Sequence, residues 1–137
     1  MQKPYLSIVL AAALSMVDVS HAAQSRDLIK STKSWDGQPL PAQHILQPEV
    51  TIKEIIIAPG ERLPLHIHPV INAGILASGV LTVHSGDKVK QMVAGDPLIE
   101  LVNTEHYGQN NGDEPAKIIV FYIAEKGADL TVLSKHR

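Results

Sequence analysis

From residue 50 onward, apolar and polar positions alternate in short runs, and helical periodicity is almost absent. The runs Val50–Ile57, Val70–Ala77, Val80–His84, Lys88–Val93, Leu98–Val102 and Lys117–Ala124 read as β-strands. Between them stand Ala58-Pro59-Gly60, Ser78-Gly79, Ser85-Gly86-Asp87, Ala94-Gly95-Asp96-Pro97 and Asn110-Asn111-Gly112-Asp113. These are turn residues, suited to positive φ or to a fixed proline kink. Short, evenly spaced strands with glycine-rich turns predict an all-β sandwich or barrel over residues 50–125.

The flanks differ from this pattern. Residues 1–23 combine Lys3, an apolar run from Tyr5 to Val17 and a small-residue end at Ser20-His21-Ala22-Ala23, the layout of a secretory signal peptide. The apolar run falls short of the ~20 residues needed to span a bilayer, so no membrane contact is expected after cleavage. Residues 24–49, with Trp35-Asp36-Gly37 and several prolines, read as an irregular N-terminal arm laid over the barrel, and 126–137 as a C-terminal tail. A periplasmic or secreted location is expected, and the absence of cysteine means that no disulfide exploits it.

Composition narrows the function classes. The 137 residues leave room for one domain, and 45% hydrophobic residues suffice for a real core. A net charge of -2 and only 4% aromatic residues supply neither the basic surface nor the stacking platforms of a nucleic-acid binder. A phosphate loop, a serine-hydrolase elbow and a cysteine nucleophile are all missing from the sequence.

The chemistry concentrates between Gly60 and Gly79. His66 and His68 are two apart, so on a strand both imidazoles point to one face, as two ligands of one metal must. The same parity turns Leu63, Leu65 and Ile67 outward, and Ile55-Ile56-Ile57 suggests a strand buried on both faces. Such an apolar exterior needs a cover, and a homodimer is expected. Of seven histidines, His21 leaves with the leader, His136 is terminal, His44 lies in the arm and the parity of His84 with Thr82 suggests solvent. That leaves His106 as the third ligand.

These residues carry a family resemblance. Gly60, five residues, His66, one residue, His68, three residues, Asn72, six residues, Gly79 resembles the first motif of the cupin superfamily. Gly95, five residues, Leu101, one residue, Asn103, two residues, His106, three residues, Asn110 resembles the second. The resemblance implies a small cupin or jelly-roll β-barrel, a double-stranded β-helix, whose two motifs offer His, His, Glu and His to one divalent metal. Three positions depart from it: Asn72 replaces the glutamate, Leu101 the proline and Asn103 the glycine.

The first departure has chemical weight. Three neutral imidazoles would leave a divalent ion near +2, which favours carboxylates, enolates and diolates as ligands. Such a site suits zinc with an activated water, or iron holding a chelating anion; manganese and nickel are further candidates. Asn72 could coordinate weakly through its amide oxygen or satisfy a backbone group, but the preferred role is to orient a bound anion through its amide, with Tyr107 or Tyr122 to offer a phenolic proton, although strand aromatics more often pack. Glu100 reads as a strand-edge charge and Glu105 as a solvated loop residue. Two functions follow: a metalloenzyme of oxygenase, isomerase or lyase type acting on a small anionic metabolite, or a non-catalytic module that binds a small ligand or metal.

Overall fold

A computed structural model describes residues 23–135, so all but the last residue of the leader read at 1–23, with His21, and the terminal His136 lie outside the described residues. Nine strands follow in chain order: β1 (Pro48–Ile57), β2 (His66–Ile67), β3 (Asn72–Ser78), β4 (Val80–Ser85), β5 (Lys88–Val93), β6 (Pro97–Ile99), β7 (Tyr107–Gln109), β8 (Ala116–Glu125) and β9 (Val132–Leu133). No helix occurs among the described residues, and none therefore is long and apolar enough to cross a membrane. The six expected strands are present, Lys88–Val93 with the expected ends and the other five with shifted ones. The three additional ones, β2, β7 and β9, are two or three residues long, too short for alternation to reveal.

Pairing is antiparallel throughout. One sheet runs β1-β8-β3-β6, a second runs β5-β4-β7, and β2 pairs with β9. Between the two larger sheets lies the core, with Ile57, Leu76, Leu98, Ile118, Val120 and Tyr122 from one and Leu81, Val83 and Met92 from the other. This is the jelly-roll β fold. Gly79 makes the tight turn between β3 and β4: its φ is +76°, and an added Cβ would stand 2.8 Å from the Pro115 carbonyl oxygen. Neither the conformation nor the space admits another residue.

The arm is bound along one sheet. The Trp35 amide donates to the Ile99 carbonyl at 3.0 Å, and the Gln43 side chain donates to Ile123 O at 2.6 Å while accepting from Ile71 N at 3.1 Å. The amides of Leu46 and Gln47 donate to the Glu125 carboxylate. Residues 26–29 lie over the outside of β3, β6 and β8, beside Ala73, Ile75, Pro97 and Phe121.

Two parity expectations are corrected. Leu63 does not face outward: it packs against the core and lines the interior cavity, because the strand carrying His66 is only two residues long and alternation does not reach back to 63. Ile56 is not buried; β1 is an edge strand whose Val50, Ile52 and Ile56 side chains remain exposed on the outer face. The described part of the C-terminal tail, to Lys135, pairs with the barrel. Its β9 covers β2, with Ser134 N donating to Leu65 O at 2.9 Å.

Candidate metal centre

His66, at the start of β2, and His106, just before β7, exchange backbone hydrogen bonds in both directions. His68 follows β2, and its carbonyl accepts from Asn103 N at 2.8 Å. Asn103 itself sits at φ +52°, where the family motif has glycine. These bonds fold the two motifs onto each other. The three imidazoles consequently meet in one place, with one potential ligand nitrogen from each lying within 4.8 Å of the others. Their ring centroids are 4.5–4.9 Å apart, and all three are buried.

Hydrogen bonding decides which nitrogen faces the centre. Nδ1 of His66 lies 2.7 Å from Pro64 O, Nδ1 of His68 2.8 Å from Leu130 O, and Nδ1 of His106 2.8 Å from Thr104 O. A carbonyl oxygen only accepts, so each Nδ1 carries the proton and each Nε2 keeps its lone pair. Burial pushes His68 and His106 down to about 4, so both rings stay neutral at physiological pH; the neighbouring imidazoles add to the depression in each case. Neutral, backbone-anchored histidines with free Nε2 atoms are what a divalent transition metal requires. The residues fit the metal that the motif resemblance implies.

A carboxylate lies beside one of the three, His106. Glu100, immediately after β6, is buried, and its Oε2 stands 3.5 Å from Nε2 of His106. Neither atom has a hydrogen-bond partner. Burial raises Glu100 to about 7, tempered by the Leu101 amide. The strand-edge reading of Glu100 is thereby corrected. A signal was present: Leu98 faces the core, and two-residue alternation turns Glu100 to the same side.

The remaining site candidates fall as follows. Asn72 is buried at the start of β3 but does not line the cavity; its Nδ2 lies 3.4 Å from Val70 O, and its Oδ1 has no partner. Tyr107 does not line it either. Gly108 is the β7 residue that faces the cavity, so Tyr107 points away, stacked on His84 at 4.7 Å with the Arg62 guanidinium 3.7 Å from its ring centroid. His84 is accordingly half-buried against Tyr107 rather than solvated. Tyr122 of β8 does line the cavity, its ring edge-on to His68 at 5.7 Å. His44 and Glu105 are exposed.

The cavity around the histidines measures about 220 Å³. Its walls are mostly apolar, from Ile55, Ile57, Leu81, Val83 and Val120, and Lys53, Thr131 and Leu133 also border it. Lys53 and the 130–133 segment escaped the sequence reading because they come from an edge strand and the chain end, neither carrying motif residues, and Glu100 because it fills one of the unspecified positions between Gly95 and Leu101.

Several known proteins share this arrangement of strands. An oxalate oxidase bound to the substrate analogue glycolate is 25% identical with a TM-score of 0.53, over 61% of this chain and 45% of that one. The oxalate decarboxylase of Lactobacillus farciminis is 22% identical with a TM-score of 0.55, over 61% of this chain and 26% of that one. The chain thus spans less than half the length of either oxalate enzyme. An uncharacterised Klebsiella pneumoniae protein with a double-stranded β-helix domain is 22% identical with a TM-score of 0.53, over 84% of this chain and all of that one. No curated protein matches. The sequence model of the cupin domain matches residues 53–122, a stretch that holds both histidine motifs and the strands that carry them, and the chain belongs to the cupin family.

Proposed function

We propose that this chain is an exported, metal-dependent enzyme that acts on a small anionic, oxygenated metabolite, with oxygenase-type chemistry its leading form. One observation carries the reading: three buried Nε2 lone pairs converge, each fixed by a backbone carbonyl on the opposite ring nitrogen. His66, His68 and His106 hold the ion, drawn from iron, manganese, nickel or zinc. A divalent ion there would supply Lewis acidity and, if redox-active, access to dioxygen chemistry.

The chain's own groups determine what binds beside it. Apolar walls exclude water, which strengthens every polar contact inside. Lys53 borders the cavity with its ammonium 5.7 Å from the Tyr122 ring centroid, offering positive charge to an incoming anion. The cavity has room for a small metabolite and not for a polymer. Likeness to an oxalate oxidase holding glycolate supports a small carboxylate or hydroxy acid as substrate class.

Metal analysis of protein isolated from the periplasm, against a His66→Ala/His68→Ala variant, tests the centre. Stoichiometric metal in the wild type and little in the variant is expected; equal, negligible metal in both would remove the reading. Oxygen consumption across small dicarboxylates, hydroxy acids, diketones, flavonols and thiol acids then tests turnover. Metal without turnover on any class would favour a binding module.

A further inference from the structure

The family places its metal-site glutamate where this chain has Asn72, yet a buried carboxylate stands beside His106 all the same. The Glu100 amide donates to the Asn72 carbonyl at 3.1 Å, and the β3–β6 register that pairs Ala73 with Ile99 and Gly74 with Leu98 sets Asn72 opposite Glu100. Directly opposed residues on antiparallel strands project to the same face. We propose that Glu100 is the fourth protein ligand of the metal, the carboxylate having moved from one strand to its neighbour across a single rung of the ladder. This rests on the metal reading above.

The local chemistry supports the assignment. Oε2 of Glu100 and Nε2 of His106 are buried, unpartnered and 3.5 Å apart. That is too long for a proton to bridge them, so Glu100 is not there to orient the imidazole. Two atoms each about 2.1 Å from one ion stand roughly 3.0 Å apart at octahedral angles and roughly 3.4 Å apart at tetrahedral ones. The observed separation suits a shared ion. An ionised carboxylate oxygen facing a lone-pair nitrogen is unfavourable without a cation between them, because two acceptors then meet. With Glu100 bound, the net charge at the ion falls from near +2 to near +1. The site is then a three-histidine, one-carboxylate centre assembled from different positions, and Asn72 becomes a neighbour of the ligand rather than its substitute.

Cobalt(II) is the probe, added to metal-stripped wild type and to Glu100→Gln, which keeps size and removes charge. At least a tenfold loss of cobalt affinity and a changed visible spectrum are expected in Glu100→Gln, with a metal-free thermal midpoint equal to or above that of the wild type. Unchanged affinity and spectrum would overturn the assignment, as would a lowered metal-free midpoint with intact cobalt binding, which marks a structural role. Should the variant fail to fold, the infrared difference spectrum of wild type with and without cobalt decides: a shifted carboxylate stretch supports ligation, and its absence refutes it. Failure of the wild type to bind cobalt at all would sink the metal reading itself, an outcome distinct from failure of Glu100 alone.

Discussion

His66 and His106 exchange both of their backbone hydrogen bonds, at 3.1 and 3.0 Å, so two side chains forty positions apart in sequence are fixed to each other through the main chain. The imidazoles therefore do not depend on a metal to find one another. Preorganisation of this kind places the cost of assembling the site on folding rather than on binding. Zinc or cobalt should then bind without a change in secondary structure and should raise stability by mass action, by about 2.7 kcal/mol at a hundredfold excess over Kd. Alanine at His66, His68 or His106 is expected to abolish that gain while leaving the circular dichroism spectrum intact. A stabilisation by metal that survives any of the three would place the ion elsewhere.

Metal-stripped protein should lose stability on mild acidification. His68 and His106 stay neutral in the fold until about pH 4 and protonate near 6.5 when unfolded, so between these values the unfolded chain binds two more protons. Stability therefore falls as pH drops through this window. Glu100 acts oppositely, since the fold keeps its proton up to about 7 and the unfolded chain only to about 4.5. One net proton remains, a slope of about 1.4 kcal/mol per pH unit between 4.5 and 6.5. Glu100→Gln removes the opposing group and should roughly double the slope. Denaturant midpoints from pH 7 to 4.5 check both statements, and a flat wild-type profile would contradict them.

Asn110 closes the second motif as a structural clasp. It is fully buried; its Nδ2 donates to Ile57 O at 3.0 Å and Glu114 O at 2.8 Å, and its Oδ1 accepts from Gly112 N at 2.9 Å. Its backbone also exchanges bonds with the Gly60 amide and the Glu61 carbonyl. Asn110→Ala strands two carbonyls and an amide in the interior and should cost roughly 2–4 kcal/mol by denaturant unfolding. Asn110→Asp should cost more, because a carboxylate then faces two carbonyl oxygens with no proton to donate. If either variant unfolds at the wild-type midpoint, Asn110 is only a turn residue.

Much of the site was legible because its three histidines sit in fixed motif spacing. His66 and His68 share a face by strand parity, and the second motif's spacing singled out His106, although the parity argument that set His84 aside as solvated failed. Glu100 was not legible in the same way. Alternation from Leu98 turns it inward, but its place opposite Asn72 depends on the register between β3 and β6, which long-range pairing sets. Tyr107 shows the converse. A residue beside a ligand in sequence need not be beside it in space, and here one step along β7 turns Gly108 to the cavity and the phenol away. The turns at Gly60, Gly79 and Gly95 were readable, because positive φ leaves a mark in residue type.

The outer face of the β1–β8 ladder bears the last prediction. Val50 pairs with Ile123 and Ile52 with Phe121, and all four side chains are exposed, Ile52 to 61% and Ile123 to 54%. Contiguous apolar side chains on a sheet make an unstable boundary with water, and the arm, which lies beside Phe121 and bonds through Gln43 to the Ile123 carbonyl, leaves all four exposed. A second copy brings the same strip, and a two-fold axis lets each strip cover the other. The expected species at micromolar concentration is a homodimer by light scattering. Ile52→Lys should shift it to monomer, since a lysine opposite Phe121 would have to be buried unpaired in the interface, while the metal centre on the inner face stays intact. A wild type that is monomeric at those concentrations would rule the dimer out.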